Sequence, residues 1–235
     1  MPGMYGLYYY DWTYVLVVIG AVFSMLASGY VKSTFKRYAR YRANCGMTST
    51  DVARKLLNDN GCHGVRIEHI RGDLTDNYDP RSQVLHLSDT VYGSESIAAI
   101  AVAAHECGHA MQHNEGYAPL TLRSSFVKIA NLGSNAGIPI LILGLFLSMQ
   151  PFVTLGVILF SFGFLFQVIT LPVEFNASKR ALEQLDELGI LQGEENDGAR
   201  KVLTAAALTY VASAAASLLS LLRIVLIARG GRRRD

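Results

Sequence analysis

The segment AVAAHECGHAMQHNEGY, residues 101–117, holds three of the six histidines of a 235-residue chain. His105 and His109 are four residues apart, so on a helix their rings project from one face, about one turn from each other. Glu106 follows the first of them, where its carboxylate can reach a water on the same metal ion. This H-E-x-x-H spacing predicts a zinc site with His105 and His109 as ligands and Glu106 as the general base.

The sequence before the motif predicts that these histidines lie on a buried helix. Ser94, Glu95 and Ser96 are typical of a helix start, and the apolar run IAAIAVAA, residues 97–104, is strongly helix-forming. The alternative is a polar patch on the surface of a helix. Burial disfavours that alternative, because unpaired imidazoles in an apolar environment are costly.

The other residues of the segment are weaker candidates for metal binding. His113 lies eight residues beyond His105, about 12 Å along a straight helix, so it cannot share one zinc ion with both other histidines. We expect His113 to support the site by contacting a ligand, or to be solvated. The metzincin variant has glycine and histidine where this chain has Gln112 and Glu115, which disfavours that subclass. Cys107 points away from the histidine face and is expected to be a packed core thiol.

The composition predicts an integral membrane protein. Hydrophobic residues make up 51% of the chain, and its mean hydropathy is +0.25. The apolar residues form four runs long enough to cross a bilayer, and too little polar sequence remains to cover them as a soluble core. We therefore expect a mainly α protein with about four transmembrane helices and a small α+β, zincin-like soluble unit. The expected segments are an N-terminal tail (1–11), transmembrane helix 1 (12–31), a soluble zincin-like unit (32–125) with the metal helix at about 95–115, transmembrane helices 2 (126–149) and 3 (152–171), a soluble helix carrying the third ligand (172–201), transmembrane helix 4 (202–228) and a basic tail (229–235).

Charges beside the first apolar run predict the orientation. Five basic residues between Lys32 and Arg42 follow that run and none precedes it, which places the soluble unit in the cytoplasm. The basic tail disagrees, because four crossings would leave its four arginines outside. Either the tail is tolerated there, or the fourth run does not fully cross. Trp12 and the tyrosines around it predict an interfacial aromatic belt rather than a cleaved signal peptide.

The soluble stretch is expected to form a small α+β unit. Ser49 or Thr50 can cap a helix over residues 52–57, and residues 65–70 and 84–87 are strand candidates. A strand just before the metal helix could pair with an extended substrate, or it could simply complete a small sheet. The net charge of +2 gives no indication of nucleic-acid binding. Three cysteines without a C-x-x-C pair predict neither a disulfide framework nor a separate zinc knuckle.

A catalytic zinc site needs a third protein ligand and an open position for water. After His113 the chain enters the membrane, and two crossings return it to the same side. The first carboxylate after that return is Glu174, just past Pro172 at the start of an expected helix. We predict Glu174 as the third ligand, although an acid at that place could also serve only the helix N-terminus. The upstream candidates for the same position are Asp79, His86 and Asp89.

Several of these segments together resemble a known family. They are NYDPRSQVLHLSDTVYGSESIAAIAVAAHECGHAMQH (77–113), the paired apolar runs and VEFNASKRAL (173–182). Over essentially the whole chain they resemble the YugP-type membrane zinc metallopeptidases. The layout is also similar to the HtpX-like membrane metallopeptidases, in which H-E-x-x-H precedes a transmembrane hairpin and a Glu ligand follows it. That resemblance implies Glu174 as the ligand and an Asp four residues later as its support. Here Ser178 occupies that position and is a weaker supporting partner.

These observations predict a membrane-embedded, zinc-dependent endopeptidase of the cell membrane, with its catalytic side in the cytoplasm. It would hydrolyse peptide bonds of membrane proteins or peptides near the membrane face. Its partners would be a membrane-associated polypeptide and the lipid bilayer, and its cofactor Zn²⁺. Candidate donors to the developing oxyanion are Tyr78, Tyr92 and Tyr210. The alternative is a non-catalytic membrane scaffold or adaptor with a structural zinc, which would need a fourth protein ligand and would have no use for Glu106.

Overall fold

The computed structural model describes residues 12–230 and is mainly helical, with 72% of residues in helices and a small three-stranded sheet. This confirms the expected fold class. The expected N-terminal tail, with most of the tyrosines of the aromatic belt, and the last residues of the basic tail lie outside the described residues. In chain order the elements are α1 (Tyr14–Tyr38), α2 (Ser49–Asp59), β1 (Arg66–Ile70), β2 (Asn77–Asp79), β3 (Val84–Ser88), α3 (Ile97–Asn114), α4 (Ala118–Phe146), α5 (Gln150–Glu187) and α6 (Glu194–Gly230).

The chain divides into two compact units, each with its own packing. We call the first the helical unit, which among the described residues comprises 12–25, 128–165 and 212–230. The second, the sheet unit, comprises residues 26–127 and 166–211. Four helices, α1, α4, α5 and α6, are long and apolar enough to cross a membrane. Each of these four contributes residues to both units.

Close helix packing characterises the helical unit. A Cβ atom added to Gly144 of α4 would lie 2.5 Å from the backbone nitrogen of Val153 of α5, and one added to Gly137 would lie 2.9 Å from that of Phe160. Such contacts are found where small residues let two helix backbones approach each other, as in membrane helix pairs. The same unit holds Arg223 of α6, whose guanidinium lies 4.0 Å from the ring centre of Tyr14. Because the face of an aromatic ring attracts a cation, this contact stabilises the charge in the apolar second half of α6.

The sheet unit has a single mixed sheet in the order β1-β3-β2. The central strand β3 is parallel to β1 and antiparallel to β2. The sequence did not indicate β2, because its three residues lie in a turn-rich stretch. The expected caps of helix α2, Ser49 and Thr50, are its first two helical residues instead: Thr48 caps the helix and Asp51 completes a capping box. This arrangement satisfies two backbone N–H groups that would otherwise lack partners.

Helix α3 forms the centre of the sheet unit. Ser96 caps it by accepting a hydrogen bond from the backbone N–H of Ala99, as the serine-rich start predicted. Its alanine-rich first half is buried in the core, and the Sγ of Cys107 contacts the backbone oxygen of Ala53. A Cβ atom added to Gly108 would lie 2.6 Å from the backbone oxygen of Ala177 on α5. Helices α3 and α5 therefore touch at backbone distance beside the H-E-x-x-H motif.

Helix α5 runs further than the sequence indicated. Pro172 lies inside it, and the helix continues to Glu187. A proline removes one backbone hydrogen bond from a helix, but long membrane helices tolerate this loss because neighbouring groups compensate. Glu174 therefore lies within a helix and not in its first turn. The helical structure is interrupted instead between α5 and α6. In that turn Gly189 and Gly193 have the positive φ angles of 65° and 53° that glycine adopts without strain.

Candidate metal centre

Two helices of the sheet unit bring three predicted ligands together. His105 and His109 project from α3, and Glu174 projects from α5. Glu174 Oε2 lies 3.3 Å from His105 Nε2 and 3.6 Å from His109 Nε2. One ligand atom from each of the three residues lies within 4.8 Å of the others. Within residues 12–230, these three side chains form the group of histidine, cysteine and carboxylate residues whose geometry could hold a metal ion. We call them the metal group.

The three residues fit a zinc ion by their chemistry and spacing. Zinc bonds of 2.0–2.2 Å in a tetrahedral arrangement place neighbouring ligand atoms roughly 3.4 Å apart, close to the separations found here. Glu174 is only 2% exposed, and its Oε2 atom is buried without a hydrogen-bond partner. A buried oxygen in that state is unfavourable, and a bound cation would satisfy it. Two imidazole nitrogens and one carboxylate oxygen also match the ligand set of catalytic zinc sites, which leave a fourth position open.

Electrostatics couple the same residues. Burial lowers the pKa of His109, but the nearby carboxylates of Glu174 and Glu106 outweigh it, so that the pKa is raised overall. In the metal-free protein the negative charges thus favour a proton on the imidazole. A metal cation occupying the same place would compete with that proton.

Hydrogen bonds on the far side of each ring orient the histidines. His105 Nδ1 lies 3.1 Å from the hydroxyl of Ser178, the serine predicted as a supporting partner. His109 Nδ1 lies 3.0 Å from Oε1 of Gln112. The amide nitrogen of Gln112 in turn donates to the backbone oxygen of Val173, at 2.8 Å, and to Oδ1 of Asn176, at 2.9 Å. Such contacts fix the tautomer of a histidine and point its other nitrogen towards a metal.

Gln112 and Arg123 are two site residues that sequence reasoning missed. Gln112 is three residues after His109 on the same helix, which places it one turn away. This spacing was the available signal. Arg123, near the start of α4, donates from Nη1 to Oε1 of Glu174 at 3.0 Å. Its partner is far away in the sequence, so no local pattern indicates the contact.

Glu106 lies beside the metal group without belonging to it. Its side chain is buried, and it lines the same cavity as His109 and Glu174. Burial raises the pKa of Glu106, although the neighbouring His105 and His109 act in the opposite direction. A carboxylate with a raised pKa takes up and releases a proton more readily near neutral pH than an ordinary one.

A cavity of about 560 Å³ opens onto two of the three predicted ligands, His109 and Glu174, and every residue that lines it belongs to the sheet unit. Its wall includes β2, the last turns of α3, the start of α4 and side chains of α5 and α6. Tyr78 and His113 stand on this wall, with the Tyr78 hydroxyl 2.9 Å from His113 Nδ1. Burial raises the pKa of Tyr78 to about 12, so the hydroxyl keeps its proton. His113 contacts this tyrosine and not a member of the metal group.

The other residues considered from the sequence are not members of the three-residue group, although Asp79 and Tyr210 line the same cavity. Asp79 accepts hydrogen bonds from the backbone N–H of Arg81 and the hydroxyl of Ser82. Asp89 accepts from the backbone N–H of Gly72 and pairs with His69 at 2.7 Å. His86, the third upstream candidate for the ligand position, forms a hydrogen bond with Asn77. Tyr92, a candidate donor to the oxyanion, packs beside the ring of His69. Tyr210 lines the cavity together with Glu106 and Glu174.

A protein family and a known protein are similar to this chain over most of its length. The family described as "Putative neutral zinc metallopeptidase" matches residues 13–229. The chain is also similar to a Bacillus subtilis protein named "Putative membrane protease YugP", with 46% identity over 221 residues, which cover 93% of this chain and 98% of that protein. No solved structure matches the chain.

Proposed function

The chain belongs to this neutral zinc metallopeptidase family, and on that premise we propose that it is a membrane-embedded zinc endopeptidase. Its substrates would be membrane proteins or peptides, cut near the membrane face. One observation carries the proposal: a buried carboxylate outside the three-residue metal group, Glu106, lines a cavity together with two members of that group, His109 and Glu174. A peptide segment fits a cavity of about 560 Å³.

The residues of the site would divide the work of peptide hydrolysis among them. His105, His109 and Glu174 would hold Zn²⁺. When bound, the ion supplies a Lewis acid that polarises the peptide carbonyl and lowers the pKa of water towards neutrality. Glu106 would take the proton from the attacking water and deliver it to the leaving amine. Its raised pKa suits both steps.

A hydrogen-bond donor for the developing oxyanion would complete the mechanism. Of the three candidate tyrosines, Tyr92 stands beside His69, and the hydroxyl of Tyr78 is bonded to His113. Tyr210 lines the cavity with both glutamates. We therefore assign the donor role to Tyr210, because a preorganised hydroxyl close to the reacting carbonyl stabilises negative charge as it forms.

The scaffold alternative is less well supported. A structural zinc site is closed by four protein ligands. Within residues 12–230 the metal group has three members, and a cavity reaches it. A buried Glu106 would also be a cost without a benefit in a purely structural site, since burial disfavours its charged form.

Orientation in the cell membrane follows from the basic residues between Lys32 and Arg42. They lie at the end of α1 and just after it. Basic residues are retained on the cytoplasmic side, so the sheet unit with its metal group would face the cytoplasm. A multi-pass protein of this orientation would cut substrates at the inner membrane face.

Exchange of Glu106 for glutamine tests the proposed function. We expect Glu106→Gln to retain one zinc ion per chain and to lose hydrolysis by about 10²–10⁴-fold, the range typical of a lost general base. The measurements are metal content by mass spectrometry and cleavage of a labelled single-span membrane peptide by the full chain in detergent. Glu115→Gln is the control, because Glu115 is an exposed glutamate at the end of the same helix. Undiminished cleavage by Glu106→Gln would disprove the mechanism.

A further inference from the structure

The two oxygens of Glu174 have different surroundings. Oε1 accepts a hydrogen bond from Nη1 of Arg123 at 3.0 Å. Oε2 has no hydrogen-bond partner and faces the Nε2 atoms of His105 and His109. The arginine therefore divides the carboxylate into one oxygen already engaged and one free to bind.

We propose that Arg123 is a positioning residue that holds Oε1 of Glu174 away from the metal, so that the carboxylate offers Oε2 alone. The inference rests on the proposed function, since it concerns the same metal group. A carboxylate can bind a metal ion through one or both oxygens. Use of both would fill the position that a catalytic zinc site keeps open for water or substrate. Arg123 would thus preserve the open position without touching the ion.

The physical properties of the arginine suit this task. A hydrogen bond between a guanidinium and a carboxylate is charge-assisted and stronger than a neutral one. The guanidinium is planar and presents its N–H donors in a fixed arrangement, so it can define the direction from which Oε1 is held. Glu174 is buried, whereas the side chain of Arg123 is 32% exposed and lines the cavity. Water therefore has little access to the carboxylate end of this contact, and the hydrogen bond can hold the orientation of the carboxylate.

The position of Arg123 in the fold also supports the inference. It lies six residues into α4 (Ala118–Phe146), and Glu174 lies in α5. The two residues are 51 positions apart in the chain and meet in the sheet unit. Because α3 supplies both histidines, the arginine reaches the carboxylate from a third helix and approaches the oxygen that the histidines do not face. Charge neutralisation alone does not require that the arginine bond to Oε1 and leave Oε2 without a hydrogen-bond donor.

Cobalt substitution of the full chain in detergent distinguishes a positioning role of Arg123 from a role as an ion-pair partner only. Zinc would be removed and Co²⁺ titrated into wild type, Arg123→Met, Arg123→Lys and the control Arg81→Met, which changes another arginine of the same cavity. Four-coordinate Co²⁺ absorbs visible light several-fold more strongly than Co²⁺ with more ligands. We expect strong bands for wild type, Arg81→Met and Arg123→Lys, which keeps one donor for Oε1. Arg123→Met should bind one Co²⁺ per chain with bands several-fold weaker.

The outcomes distinguish this inference from the proposed function. Identical spectra for Arg123→Met and Arg123→Lys would overturn the positioning role, whichever spectrum they share. Failure of the wild type to bind Co²⁺ or Zn²⁺ would instead overturn the proposed function itself. Arg123→Gln, whose shorter side chain cannot reach Oε1 in the same way, gives the same comparison if the methionine variant does not fold. A thermal-stability loss without a spectral change would show that the arginine serves only as an ion-pair partner.

Discussion

Replacing Gln112 by methionine should loosen the metal site by removing the link between its two helices. Gln112 is fully buried and makes three hydrogen bonds, to His109, Val173 and Asn176, at 3.0, 2.8 and 2.9 Å. Methionine has a similar length and is apolar, so the exchange removes these bonds with little change in volume. The backbone oxygen of Val173 loses one donor and Nδ1 of His109 loses its partner, whereas Oδ1 of Asn176 keeps a second donor, Nε of Arg180.

The expected magnitudes follow from the number of bonds lost. At about 1 kcal/mol for each hydrogen bond, the three together stabilise the folded state by about 3 kcal/mol. A chain of this size loses roughly 2–4 °C in Tm for each kcal/mol, so we expect a fall of roughly 6–12 °C. The loss of a group that orients a ligand typically weakens metal binding by about 10–100-fold. We expect a Kd for zinc raised by that factor.

Gln112→Glu separates the two effects. It keeps an oxygen that accepts from His109 Nδ1 but loses the donors to Val173 and Asn176. We expect a lowered Tm with a zinc Kd close to wild type. Gln184→Met is the matched control, because it makes the same exchange on α5 at a residue bonded to Asn60 and Glu187. The assays are thermal unfolding in detergent and competition for zinc with a fluorescent chelator.

Two results would refute this reasoning. If Gln112→Met bound zinc as tightly as wild type, the contact with His109 would have no role in presenting the ligand. If Gln112→Met and Gln112→Glu weakened zinc binding equally, the effect would come from the lost link between helices and not from the orientation of the imidazole.

Four further outcomes are expected. Glu174→Ala should lose most of its zinc and Asp79→Ala should keep a full complement, as measured by mass spectrometry, and the reverse pattern would remove Glu174 from the ligand set. A chelator should lower the Tm of wild type, since a ligand at 1,000 times its Kd stabilises by about 4 kcal/mol, and it should leave that of Glu174→Ala unchanged. Asp73→Cys, at an exposed position of the sheet unit, should resist a membrane-impermeant thiol reagent added to intact cells, and ready labelling would invert the orientation. Gly108→Val should lower the free energy of unfolding by about 1–3 kcal/mol, because its Cβ would meet the backbone of Ala177, and an unchanged denaturant midpoint would count against that close contact.

Local patterns predicted the parts of this protein that depend on local physics. The spacing of His105 and His109 follows from helix geometry, and the serine before α3 follows from the need to satisfy free backbone N–H groups. The four apolar runs follow from the thickness of the bilayer. Glu174 could be predicted with one further argument, because two membrane crossings return the chain to the side on which the metal helix lies. The structure brings it to the two histidines.

Contacts between distant segments could not be read in this way. Arg123 carries no mark of its partner, because any basic residue at a membrane boundary is explained equally well by the interface. Strand β2 is three residues long, and its pairing with β3 depends on the neighbouring strand more than on its own propensity. Pro172 would end most helices of soluble proteins, so its place inside α5 could not be inferred from the residue alone.

The division of the ligands between α3 and α5 also determines when, during synthesis, the protein could become active. A ribosome completes His105 and His109 well before it reaches Glu174, and α4 and the first half of α5 are made in between. A nascent chain therefore carries only two of the three ligands while its apolar helices are still being inserted. For the proposed peptidase this order is a safeguard, because the growing chain passes close to other unfolded membrane proteins that it could cut. Zinc capture would mark the moment at which both helices of the α4–α5 pair have been delivered to the bilayer.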